Sequence, residues 1–125
     1  MGLMFECEIP GRVGILKNNK KLIRVRGRII PISSDRFKAW EKQAMYYVLS
    51  AKPAGQISVP IRLECEFHFM NRKSLPDLSN CYQGVEDLLQ KACVIVNDSQ
   101  VESHAGSARL ISGSEKTVVR IFEYE

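Results

Sequence analysis

Between Val59 and Phe69 the chain alternates strictly. Ile61, Leu63, Cys65, Phe67 and Phe69 fall on one side, and Arg62, Glu64, Glu66 and His68 on the other. A period of two over this length describes a half-buried β-strand. Such a strand needs neighbours to satisfy its backbone hydrogen bonds and a second layer to cover its apolar face. A shorter alternation, Leu3, Phe5, Cys7 and Ile9, ends at Pro10-Gly11 and supplies one neighbour. The covering layer comes from two stretches of helical period. Phe37, Trp40, Ala44, Val48 and Ala51 follow a cap at Ser33 or Ser34 and stop at Lys52-Pro53-Ala54-Gly55. Cys81, Val85, Leu88, Leu89 and Ala92 form the second apolar face. An extended segment, Lys21 to Ile30, follows a turn at Asn18-Asn19, and a short apolar piece, Val94-Ile95-Val96, follows the second helix. Strands near Ser107–Ile111 and Thr117–Tyr124 meet at Ser112-Gly113-Ser114-Glu115. The order reads β-β-α-β-α-β-β. It predicts one α+β domain over residues 1–125, a mixed sheet with two helices packed on it.

A chain of 125 residues with 45% hydrophobic content fills one modest core. It has no apolar run of about 18 residues, so no membrane span is expected. The first eight residues, Met1 to Glu8, lack a basic region followed by an apolar one, and no signal peptide is expected. Cys7, Cys65, Cys81 and Cys93 are spaced 58, 16 and 12 apart without a Cys-x-x-Cys pair. With only His68 and His104 beside them, they do not make a zinc module. They read as small buried hydrophobes in a reducing compartment, which predicts a cytoplasmic protein.

The net charge of +4 is unevenly spread. Residues 1–53 carry 11 Lys/Arg against 4 Asp/Glu, a local +7, and residues 54–125 carry 7 against 10, a local −3. Arg12, Lys17, Lys20, Lys21, Arg24, Arg26 and Arg28 follow one another with no acid between them. A solvated edge strand protected from aggregation explains this run in one way. A footprint for the phosphate backbone of nucleic acid explains it in another.

Chemistry concentrates around the second helix. Asp77 stands directly ahead of it, where a carboxylate can cap free N–H groups. Asn80, Gln83 or Gly84, and Asp87 fall on one polar stripe. Asp98 follows the short apolar piece, from which a return of the chain can bring it beside Asp77 or Asp87. Taken singly, Asp77 reads as a cap and Asn97-Asp98-Ser99 as a turn.

The blocks Pro76-Asp77-Leu78-Ser79-Asn80, Val85-Glu86-Asp87-Leu88-Leu89 and Val96-Asn97-Asp98-Ser99-Gln100-Val101 carry a resemblance. Together, over about residues 59–122, they resemble the RusA-type Holliday-junction resolvases, small and often prophage-encoded endodeoxyribonucleases. That family shows Asp-Leu-Asp-Asn, a helix with Lys and then Asp-Ala-Leu, and a closing Asp-Asp-x-Gln-Val. The resemblance implies a Mg²⁺-dependent (or Mn²⁺-dependent) enzyme that cuts four-way junctions and other branched DNA in recombination and repair, as a homodimer. It makes Asp77 and Asp98 the metal-binding catalytic carboxylates and gives Asp87 a supporting catalytic place. Arg72 and Lys73 occupy the basic loop that meets DNA, and Arg12, Lys17, Lys20, Lys21 and Arg24 line the DNA-facing surface. Hard oxygen ligands suit these ions.

Three positions depart from the pattern. Ser79 stands where the family has its second Asp, Gln83 where it has a Lys, and Asn97 where it has the first Asp of the closing pair. Ser79 brings no charge to a metal, and Gln83 no cation to the developing phosphorane. Either Glu86, Asp87 or Glu102 compensates, or the protein cuts poorly. The alternative is therefore a junction-binding module of the same family with weak or no nuclease activity. A third reading is a small basic dimeric interaction protein in which Asp77 is only a cap.

Overall fold

The computed structural model describes residues 2–15, 20–33 and 35–125. In chain order it contains β1 (Leu3–Pro10), β2 (Lys20–Val25), β3 (Arg28–Ser33), α1 (Asp35–Ala51), β4 (Ile61–Phe69) and α2 (Leu78–Lys91). A single 3₁₀ turn (Asp98–Gln100) then leads into β5 (Val101–Ser103), β6 (Ala108–Ile111) and β7 (Lys116–Glu123).

β4 organises the sheet, as its alternation requires. Each of its odd-numbered residues is buried and each even-numbered one is half-buried. On one side it pairs antiparallel with β7, which pairs antiparallel with β1. On the other side two short parallel strands share its edge, β5 beside Ile61 and β6 beside Glu66 to Phe69. The result is a mixed five-stranded sheet, and β2 and β3 form a separate hairpin. A parallel neighbour needs a long crossover, and α2 supplies it between β4 and β5. The apolar faces of both helices join Phe5, Ile9, Leu63, Phe67 and Ile121 in one core. Each large side chain enclosed there contributes roughly 1.5–3 kcal/mol. This is the α+β architecture expected from the periodicities.

Several local expectations are corrected. Lys21 to Ile30 is two strands, turning at Arg26-Gly27. Both turn residues have positive φ, 52° and 80°, the type I′ geometry whose twist suits a two-residue hairpin. Val94-Ile95-Val96 forms only an isolated bridge, Ile57 to Ile95. Ala51 is exposed, because it lies on the last turn of α1. Cys7, Cys65 and Cys81 are buried free thiols, and burial pushes Cys7 up to about 12 and Cys81 to about 11. Cys93 is exposed, just past α2, at φ 60°. The cap at Ser34 and the Asn18-Asn19 turn lie outside the described residues. Among the described residues no helix is long and apolar enough to cross a membrane.

Candidate functional site

Asp77 occupies the N-cap position of α2 in extended backbone conformation, yet its side chain makes no capping hydrogen bond. Only its carbonyl is used, accepting from the Cys81 N–H at 3.2 Å. The carboxylate is exposed and has no protein partner among the described residues. The reading of Asp77 as a mere cap therefore lacks its contact. The preceding carbonyl, that of Pro76, accepts a hydrogen bond from the Arg109 guanidinium at 3.0 Å, which fixes the approach to the helix.

The expected polar stripe on α2 splits. Asn80 and Gly84 are buried. A Cβ at Gly84 would sit 3.0 Å from the Gly14 carbonyl oxygen and 3.1 Å from the Phe37 ring, so this flank meets α1 and the 11–15 loop that follows β1. Asp87 belongs to the same contact. Lys91 pairs with Asp87 at 3.0 Å and reaches across to Glu41 of α1 at 2.9 Å. Burial, with Asp87 beside it, raises the Glu41 carboxyl above the usual range. Ser79 is exposed on the first turn and Gln83 is half-buried.

At the far end of α2 the closing block is built by amides. The Asn97 side chain accepts from the Ser99 N–H at 2.8 Å, and Gln100 Oε1 accepts from the N–H groups of Asn97 and Val96 at 3.0 and 2.7 Å. Gln100 Nε2 donates to the carbonyls of Ile57 and Val59, both at 2.9 Å, tying the turn to the approach of β4. Gln90 Oε1 accepts from the Asp98 N–H at 2.6 Å. These bonds fix the Asp98 backbone and leave its exposed carboxylate without a protein partner among the described residues. Nearby, Glu86 Oε2 lies 2.7 Å from His104 Nε2, and the imidazole stacks on Tyr82 at 3.7 Å. Burial raises the Glu86 carboxyl, His104 opposes this, and the Asp98 charge adds to it.

Asp98 does not return beside Asp77 or Asp87. α2 has 14 residues, so its two ends lie about 21 Å apart. Asp77 precedes its first residue, on the side of Arg109, which pairs with Phe67 late in β4. Asp98 is bonded to Gln90 in the last turn and precedes Val101, which pairs with Ile61 at the start of β4. The physical reason is the crossover itself. A helix joining two parallel strands runs back along them, so its start and end sit at opposite ends of the strands. Asp87 faces α1, away from both. Among the described residues no three His, Cys, Asp or Glu side chains gather into a metal-binding group.

The basic positions also divide. Arg12 is committed: it donates to the Ser74 carbonyl at 2.7 Å and lies 5.1 Å over the Phe69 ring. Arg72 and Lys73 are exposed on the loop leading to Asp77. Lys20, Lys21 and Arg24 are backbone positions of β2, and Lys17 lies outside the described residues. The sequence points to no role for Gln90, Arg109 or His104, whereas Gln100 stands in the closing block and Glu86 is one of the carboxylates that can compensate for Ser79.

A search among curated proteins finds no match. Against protein families, residues 13–122 match the one described as Endodeoxyribonuclease RusA. That span is most of the chain and holds Asp77, Asp87 and Asp98, so the protein belongs to the RusA endodeoxyribonuclease family.

Proposed function

We propose that this protein is a divalent-metal-dependent, structure-selective endonuclease that resolves four-way junctions and other branched DNA in recombination and repair. Residues 1–125 act as one domain, in the cytoplasm, where its thiols stay reduced. It works as a homodimer in which each site is completed by two copies. One observation carries the dimeric part: Asp77 and Asp98 are both exposed and free, yet they stand at opposite ends of α2. Groups held at the two ends of a helix about 21 Å long do not share an ion whose oxygen ligands sit at about 2.1 Å. A two-fold axis that sets the start of α2 in one copy against the end of α2 in the other joins the two carboxylates twice. Charge favours that meeting, since Arg109 and Lys73 flank Asp77 whereas Glu86 accompanies Asp98.

Asp77 of one copy and Asp98 of the second would hold Mg²⁺ or Mn²⁺. When bound, the ion supplies an activated water and a polarised phosphoryl oxygen. The chain's own residues do the positioning. Pro76 and Arg109 fix Asp77, and Asn97, Gln100 and Gln90 fix Asp98. Ser79 adds no charge, so Glu86 is the carboxylate placed to make up the missing negative group. Lys73 and Arg72, with the basic stretch from Arg12 through Lys17, Lys20, Lys21 and Arg24, neutralise the strands.

Subunit complementation on a synthetic four-way junction tests this. Asp77→Asn and Asp98→Asn alone are inactive with either ion. Mixing them restores cleavage at about a quarter of the sites, because half the dimers are mixed and each then keeps one intact pair. No recovery in mixtures shown to exchange subunits overturns the shared site. Ser79 and Gln83 favour a junction-binding module as the second reading, and tight binding with no cleavage by the wild type would establish it.

A further inference from the structure

A groove of about 920 Å³ opens between the 11–15 loop, α1 and the 70–76 loop that leads to Asp77. Arg36, Ala39 and Gln43 line it from α1, one turn apart, and Lys73 and Ser74 line it from the other side. Arg36 and Lys73 have no ion-pair partner among the described residues, whereas the one acid of the lining, Glu115, faces Arg12 at 3.9 Å. The groove is therefore cationic at its free groups.

Trp40 lies against the groove and is only 6% exposed, and its indole N–H has no acceptor among the described residues. Its ring is not a stacking platform. Gly14 packs so closely that an added Cβ would lie 2.9–3.0 Å from the Trp40 Cβ and ring, and the Phe37 ring lies 5.9 Å away, tilted by 41°. An occupant meets cations and polar edges there, not an open aromatic face.

We propose that this groove binds the sugar-phosphate backbone of one DNA strand beside the strand held at Asp77, taking phosphates and not bases. The inference rests on the nuclease reading and adds Arg36, Gln43 and the vicinity of Trp40 to its DNA surface. Phosphodiester oxygens match unpaired guanidinium and ammonium groups, and a base finds no ring to stack on.

Trp40 is the only tryptophan of the chain, so its emission reports on the groove directly. The full-length protein is titrated with a short single-stranded deoxyoligonucleotide, with an abasic strand of equal length and with free deoxythymidine. Both strands shift the emission with similar affinity, and the nucleoside does not. The double variant Arg36→Ala/Lys73→Ala, at two exposed positions, weakens both strands roughly tenfold and lowers the slope of log affinity against log salt by about 1.4. A response to deoxythymidine, or none to the abasic strand, overturns the phosphate assignment, as does an unchanged slope in the double variant. Junction cleavage followed in parallel separates the two readings. An uncut junction with the emission response intact breaks the nuclease and keeps the groove; a cut junction with no response breaks the groove alone.

Discussion

The outer face of the sheet and the two ends of α2 are both rich in charge, and they use it in opposite ways. On the sheet, Arg120 of β7 donates to Glu6 of β1 at 2.8 Å and to Glu64 and Glu66 of β4 at 2.9 and 2.8 Å. Arg62 pairs with Glu64 at 2.9 Å and lies 4.2 Å over the Phe122 ring. His68 bridges Glu66 and Ser112. Glu6, Arg120 and Glu64 are direct cross-strand partners, so these charges secure register. At α2 the pattern reverses: Asp77, Asp98 and, in the groove, Arg36 and Lys73 stand without partners among the described residues. The local charge of each half of the chain hides this division. Of the ten acids of the C-terminal half, Glu64, Glu66, Glu86, Asp87 and Glu115 are paired with neighbours, and Asp77 and Asp98, left over at the two ends of α2, mark the places where something else can bind.

The widest separation between the two regions is expected from paired variants. Asp98→Asn should lower junction cleavage by at least about a thousandfold, roughly 4 kcal/mol at the barrier. Its stability to urea should stay within about 0.5 kcal/mol of wild type, because no contact is lost. Arg120→Met should do the reverse: it strands three carboxylates and should cost about 2 kcal/mol of stability while cleavage persists at temperatures where the variant is folded. A stable Arg120→Met protein, or an Asp98→Asn protein that still cuts, would break the distinction between structural and functional charge.

Acid sharpens the same contrast with a smaller effect. Arg62 hydrogen bonding holds Glu64 below the usual carboxylate range, and Arg120 does so for Glu66. A carboxylate depressed in the folded state contributes stability that is whole above its unfolded value and is lost as pH falls through the folded one. Unfolding midpoints should therefore drop on acidification below about pH 4.5, the ordinary glutamate value. Arg120→Met should flatten that fall. Glu41 has the opposite sign, since its raised value makes it a cost that shrinks in acid. A variant with the wild-type acid limb would mean that the sheet charges do not carry the linkage.

The alternation of β4 and the apolar stripes of both helices were legible because burial there follows a local period. What failed was set by pairing or by unusual turn chemistry. β5 is three residues, Val-Glu-Ser, and exists only because β4 offers it an edge. The hairpin turn puts Arg, not Asn or Asp, at its first positive-φ position, so Asn18-Asn19 looked the better turn. At the candidate site Asp77 and Asp98 stand out through the resemblance of three blocks to the family's motif, since singly they read as a cap and a turn. Their separation does not, because it follows from the parallel placement of β5 beside β4. Asp87 belongs to the same motif, and the flank of α2 that carries it faces Glu41.

Asn97 gives the smallest effect and the finest test of where structure stops and chemistry begins. Its side chain accepts from the Ser99 N–H at 2.8 Å, and Gln100 answers by accepting from the Asn97 N–H at 3.0 Å, a reciprocal cap. An Asp at this place would accept the same bond. The exchange of Asp for Asn at this place therefore leaves the cap intact. Asn97→Ala should cost about 1 kcal/mol, with a modest fall in cleavage as Asp98 loses its fixed backbone. Asn97→Asp should keep full stability and change cleavage by less than about threefold, since the added charge serves the cap. Chemical denaturation beside junction cleavage reads both. A large gain of activity in Asn97→Asp with stability unchanged would move this position from the scaffold to the metal, and the line between paired and unpaired groups would have to be redrawn one residue earlier.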